Sequence, residues 1–174
     1  MASDGTKRLD QGVDHEDRVA RILRALGWQV EHVGQGFMNP SVSKMLRQVN
    51  TPLRWFPDLI AVHRDFADTP ILIDAKSGRQ DTPNWSAESA ALKSHAGAQR
   101  YTGLNVFYVW PDMSWNTHDQ LMEASDRNVI TKGTFSGSGS GTSFVLIPKF
   151  VTNPWELFRP VVSISEQVDP RSCP

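Results

Sequence analysis

Hydrophobic positions recur along this chain at two spacings, and the switches between them divide it into elements. Behind Asp14-His15-Glu16-Asp17, the residues Val19, Ile22, Leu23 and Leu26 fall at i, i+3, i+4 and i+7. That pattern predicts a helix opening at Asp14, with an acidic first turn that suits the macrodipole, and stopping at Gly27. Glu16 stands three residues before Val19 and shares the buried stripe. Trp28 to Val33 reads as a strand, and Val42, Met45, Leu46 and Val49 after Ser41 predict a short helix. Residues 55 to 63 and 71 to 78 read as two strands around a turn centred near Ala67. An alanine-rich helix follows from about Ser86 to Thr102, with Glu88, Leu92, His95 and Gln99 along one face. Leu104 to Trp110 is almost continuously apolar, as a central strand buried on both faces would be. Thr117 and Gln120 form a capping box for a helix reaching about Ser125. Asn128 to Thr134 and Ser143 to Val151 predict two more strands, separated by a flexible loop over Gly137 to Gly141. Pro154 to Pro160 contributes a Trp and a Phe to the packing. This order predicts an α/β domain, a mixed central sheet with helices on both faces.

The second strand of the pair carries charge where its neighbours are apolar. Asp74 and Lys76 are two apart, so the pleat sends both to one face while Ile71, Ile73 and Ala75 point to the other. Pairing across a turn centred at Ala67 would place Asp58 opposite Lys76 and close to Asp74. Two carboxylates that near each other repel, and a divalent cation such as Mg²⁺, which favours carboxylate oxygens, removes the conflict. The lysine could then orient a metal-bound water or stabilise negative charge on a phosphorane-like transition state. The plainer alternative is a hairpin carrying a surface salt bridge between Asp74 and Lys76, a pair nearly neutral in energy.

Pro57-Asp58, fifteen intervening residues, then Asp74-Ala75-Lys76 resembles the signature of the PD-(D/E)XK nuclease superfamily. The resemblance spans about residues 10 to 125 and implies the restriction-endonuclease-like fold. It also implies a metal-dependent DNA endonuclease, with Asp58 and Asp74 as metal ligands, Glu16 as a further ligand or water positioner, and Lys76 as charge stabiliser. Mg²⁺ is the implied cofactor, with Mn²⁺ able to substitute, and DNA the implied partner. A small stand-alone chain of this kind leans toward a structure-selective enzyme resembling Holliday-junction resolvases, working as a homodimer so that two sites cut two strands. RecB-like members place a Gln and a Tyr on the helix after the signature; Gln99 and Tyr101 are present here at a different spacing, so the resemblance leaves His95 and Gln99 an auxiliary role. A RecB-like exonuclease and a catalytically silent DNA-binding module are the rival readings.

Composition alters this picture only locally. The 174 residues suffice for one domain, expected over 10–160, with a loose segment at 1–9 and a flexible tail at 161–174. Eighteen Lys and Arg against 19 Asp and Glu leave a net charge of −1, so attraction to nucleic acid must come from a patch. Between Gly34 and Pro57 there is no Asp or Glu, and Lys44, Arg47 and Arg54 there are the candidate phosphate-backbone contacts. A single cysteine, Cys173, excludes an internal disulfide and a cysteine-based zinc site. With no apolar run of membrane-spanning length, a cytoplasmic protein without membrane contact is the expectation.

Overall fold

The computed structural model describes residues 4–48, 52–63, 65, 70–78, 80–126, 131–134, 143–155 and 158. Its elements in order are α1 (Asp4–Ala25), β1 (Trp28–His32), α2 (Pro40–Gln48), β2 (Leu59–His63), β3 (Ile71–Ala75) and β4 (Asn84–Glu88). They continue with α3 (Ser89–Thr102), β5 (Val106–Val109), β6 (Trp115–Thr117), α4 (His118–Asp126), β7 (Thr131–Thr134) and β8 (Ser143–Pro148). Among the described residues no helix is long and apolar enough to cross a membrane.

Five strands form a mixed sheet in the order β1-β2-β3-β5-β6. Only β3 and β5 run parallel; the other neighbours are antiparallel. The alternation expected for β3 sorts its residues between two cores. Ile71, Ile73 and Ala75 pack with Val19, Ala20 and Leu23 of α1, while Leu72 packs with Leu92 of α3 and Leu121 of α4. Helices thus cover both faces, as the sequence pattern predicts. β5 is buried at all four positions, consistent with its apolar run and interior place. Trp155 and Phe158 stack on each other with ring centroids 4.6 Å apart, Phe158 within the first core and Trp155 packed against it.

The structure departs from the sequence pattern at several points. α1 begins at Asp4, ten residues ahead of Asp14, so it takes in most of the segment expected to be loose, and Glu16 sits mid-helix rather than in a first turn. The expected helix start at Ser86 is instead β4, which pairs with β8 in a second sheet ordered β4-β8-β7. Trp85 and Ala87 alternate inward along β4, a period-2 signal hidden by the alanines that follow. Glu88 accordingly ends β4 instead of riding the face of α3. β2 begins at Leu59, after a 3₁₀ turn over Pro52–Trp55. In α2 the expected apolar face is turned out: Val42 and Met45 are exposed while Ser43 is buried, because this short helix packs on the Pro52–Trp55 turn rather than on the sheet. Thr117 and Gln120 do form the capping box, Gln120 N–H donating to Thr117 Oγ1 at 3.1 Å and Thr117 N–H to Gln120 Oε1 at 3.0 Å. The loop over Gly137 to Gly141, Ala67 and the 161–174 tail lie outside the described residues.

Candidate active site

The register of β2 on β3 decides which charges meet. Leu59 faces Ile73 and Ala61 faces Ile71. One further step along the same register sets Asp58 against Asp74, two positions from the expected Lys76, because Leu59 pairs with Ile73 where the expected register would have paired it with Ala75. The carboxylates therefore face each other directly, and the lysine stands one pleat beyond.

Asp58 is fixed through both backbone and side chain. Its carbonyl accepts from Val33 N–H at 2.8 Å and Gly34 N–H at 2.9 Å, which clamps it to the exit of β1. Its Oδ2 accepts from Ala75 N–H at 2.9 Å. Gly34 is required for this approach: a Cβ there would stand 2.8 Å from Asp58 Cα and 2.9 Å from Asp58 Oδ1.

Asp74 is 4% exposed. Lys76 Nζ lies 2.6 Å from Asp74 Oδ2, and His95 Nδ1 lies 3.9 Å from the same oxygen. Burial pushes Asp58 well above the usual carboxylate range, and the like charges of Asp74 and Glu16 push it further. Burial also acts to raise Asp74, but the Lys76 ammonium and His95 outweigh it and hold the carboxyl below its usual value. Lys76 shows the reverse balance: burial favours the neutral amine, and Asp74 and Asp58 overcome it, so its pKa is raised and it stays an ammonium. The Asp58 and Asp74 carboxyl groups are within hydrogen-bonding reach of each other.

Glu16 reaches this group from α1. Burial first, then the charges of Asp74 and Asp17, raise its pKa to about 7, and its Oε2 is buried without a hydrogen-bond partner. Sequence reasoning missed a fourth carboxylate. Glu88, at the junction of β4 and α3, is raised by burial and drawn back by Lys76 and Arg54, and its Oε2 is also buried without a hydrogen-bond partner. Only recognition of β4 could have placed it here.

Behind Asp74 runs a buried polar chain. Tyr108 is the register partner of Asp74 on β5, and its hydroxyl lies 2.8 Å from His95 Nδ1 and 3.1 Å from His118 Nδ1. Burial lowers the His95 pKa to about 4, so the ring is neutral near pH 7. His95 thus belongs to the site. Gln99 does not line it: its Nε2 donates to Asp119 Oδ1 at 3.1 Å and its Oε1 accepts from Val106 N–H at 3.0 Å, which ties α3 to α4 and β5. Tyr101 is 89% exposed.

A cavity of about 140 Å³ opens over these groups, lined by Asp58, Asp74, Lys76, His95, Gln35 and Arg54 among others. Of the expected basic residues, Arg54 is brought to the site. Lys44 is exposed on α2 and is not part of the lining, and the side chain of Arg47 lies outside the described residues. Asp58 and Asp74 in this lining, with Glu16 close by, offer carboxyl oxygens beside the Lys76 ammonium and the Arg54 guanidinium. That donor set fits a hard divalent cation, although among the described residues no three His, Cys, Asp or Glu side chains are gathered into a ready-made metal cluster.

No family model and no curated protein matches the sequence. Among solved structures, D212, a nuclease from a fusselovirus, superposes with a TM-score of 0.50 at 16% identity, over 90% of each chain. Archaeoglobus fulgidus Hjc, a Holliday junction resolvase from an archaeal hyperthermophile, gives 0.47 at 14% identity, over 80% of this chain and 90% of its own. At this identity the D212 likeness concerns the fold alone: the chain shares the fold of that protein.

Proposed function

We propose that this chain is a divalent-metal-dependent deoxyribonuclease, an endonuclease that hydrolyses phosphodiester bonds at the Asp58–Asp74–Lys76 cluster and selects for DNA structure as Holliday-junction resolvases do. The observation that carries this reading is the direct opposition of Asp58 and Asp74, with Lys76 Nζ 2.6 Å from Asp74, on the floor of a cavity. Packing alone makes no use of that triple.

Asp58 and Asp74 would hold Mg²⁺ or Mn²⁺, with Glu16 beside them. A bound divalent cation supplies Lewis-acid stabilisation of the phosphoryl oxygens and acidifies water. Lys76, kept cationic by its two aspartates, neutralises charge that develops on the phosphate oxygens. Its raised pKa argues for this electrostatic role over that of a base. His95, neutral and buried, holds the Trp55 backbone and the Tyr108 hydroxyl, and so fixes both the wall of the cavity and the strand behind Asp74. Arg54 supplies positive charge to the DNA backbone at the rim. Lys44 and Arg47 on α2 could extend that contact, and two copies of the chain would let two sites act on two strands.

Purified protein assayed with Mg²⁺ or Mn²⁺ on linear duplex, single-stranded, flap and four-way-junction DNA tests the reading. Asp74→Asn is expected to lose both metal affinity and cleavage. Lys76→Ala should keep most metal binding and lose cleavage by roughly two orders of magnitude or more, the scale of one lost transition-state stabiliser. Full activity in Lys76→Ala would defeat the assignment. DNA binding by the wild type without cleavage would leave a silent binding module.

A further inference from the structure

Next to the acidic cavity lies a larger one, of about 440 Å³, lined by Arg54, Trp55, Glu88, Ser89, Lys93 and Ser143 among others. The two cavities share Arg54 and Trp55, so the Pro52–Trp55 turn is the wall between them. That wall is held from two sides: Gln35 Nε2 donates to the Arg54 carbonyl at 2.6 Å, and His95 hydrogen-bonds the Trp55 backbone. The Arg54 guanidinium lies 4.9 Å above the centroid of the Trp55 ring, which restricts the plane of its donor fork. Lys93, one turn into α3, is exposed on the far wall. Among the described residues Glu88 is the one carboxylate in that lining, against the cations Arg54 and Lys93; it is half-buried and interacts with Lys76 and Arg54.

We propose that this second cavity binds the nucleotide next to the one attacked, with Arg54 and Lys93 on its phosphate. The strand then passes from the acidic cavity over the Arg54–Trp55 turn toward the start of α3. The inference rests on the nuclease reading and gives it a direction. A nucleic-acid strand carries a negative charge at every nucleotide, so a cavity that receives one phosphate among carboxylates must meet the next phosphate with cations. The neighbouring volume lies within the range of pockets that enclose small ligands, and its lining has cations on both walls.

The test uses the full chain in EDTA, where binding is read without cleavage, and a labelled oligo-dT of about twelve nucleotides, within the length a single-strand site occupies. Anisotropy is followed across a salt series. Lys93→Glu and Arg54→Gln should each weaken binding, the charge reversal by about tenfold or more. Each should also flatten the slope of log affinity against log salt by about 0.7, the value for one lost phosphate contact on a single strand. Arg100→Gln, in the last turn of the same helix, should leave the slope as it is. Thermal melts confirm that each variant is folded. Wild-type slopes in Lys93→Glu and Arg54→Gln, with metal-dependent cleavage retained, would overturn the subsite and leave the nuclease reading standing. A wild-type chain that neither binds nor cleaves any DNA would overturn both.

Discussion

At the scale of single residues, the site depends on groups whose placement runs against their own preferences. Asp58 and Asp74 each lose hydration, and the charge of Asp74 adds to the cost at Asp58. They stay together because covalent geometry and hydrogen bonds leave them nowhere else: strand pairing on one side, Ala75 N–H on Asp58 Oδ2 and the β1 exit on the other. Gly34 is the residue most exposed to a test. A methyl group there would meet backbone rather than a flexible side-chain end, so Gly34→Ala must displace Asp58 or β1. Overpacking of this kind costs about 1–3 kcal/mol, and urea denaturation should register that loss together with weakened Mg²⁺ binding. Unchanged metal affinity would mean that Asp58 keeps its position without the close approach. The acids and the lysine were legible because they are adjacent in period-2 sequence, where a charge interrupts an apolar strand. Gly34 and Tyr108 were not, since what makes them part of the site is contact across strands that no local spacing encodes.

Elements were legible in proportion to how much of their stabilisation is local. The capping box of α4 is contained within four residues, and Thr117 and Gln120 exchange the two bonds their sequence implies. Thr117→Ala removes one of them and should destabilise the chain by about 1 kcal/mol, measurable as a shift of the urea midpoint with no change in slope. A midpoint that stays in place would show that Asn153, which donates to Gln120 Oε1 at 2.9 Å, holds the turn by itself. By contrast, β4 is a strand because β8, some sixty residues later, pairs with it, and a five-residue segment that runs straight into an alanine-rich helix cannot announce that. The β2–β3 register lies between these cases. Apolar alternation established which face each residue takes, but a slip of two residues preserves every face, so alternation could not choose between Lys76 and Asp74 as the partner of Asp58. Pairing with β1, where His32 faces Leu59, and with β5, where Asp74 faces Tyr108, locks the choice.

For the molecule as a whole, the net charge of −1 conceals a concentration of buried ionisable groups whose titrations oppose one another. His15, His95 and His118 have pKa values lowered, by burial above all. Below their ordinary value of 6.5 the unfolded chain binds protons that the folded chain refuses, so this group makes stability rise as pH rises toward 6.5. Above it the three histidines are neutral in both states and contribute no further slope. Glu16 and Asp58 have the opposite sign. Their folded pKa values are raised, Glu16 from 4.5 to about 7, so the folded chain keeps protons that the unfolded chain has released, and stability is lost as pH rises through the folded values. Asp74, lowered, and Lys76, raised, change charge outside this window. In EDTA the melting temperature should therefore decline from about pH 6.5 to about pH 8.5, as carboxylates ionise beside one another without a counter-ion. A divalent cation that binds the ionised carboxylates replaces the missing protons, so Mg²⁺ should raise the melting temperature far more at the upper pH than at the lower. Glu16→Gln removes one of the titrating acids and should flatten the decline in EDTA while diminishing the Mg²⁺ effect. Melting curves on the two proteins, at both pH values and with and without Mg²⁺, supply all the comparisons needed. A metal-free melting temperature that holds steady or rises to pH 8.5, with no pH-dependent response to Mg²⁺, would show that the carboxylates are stabilised by the protein itself and have no need of a metal.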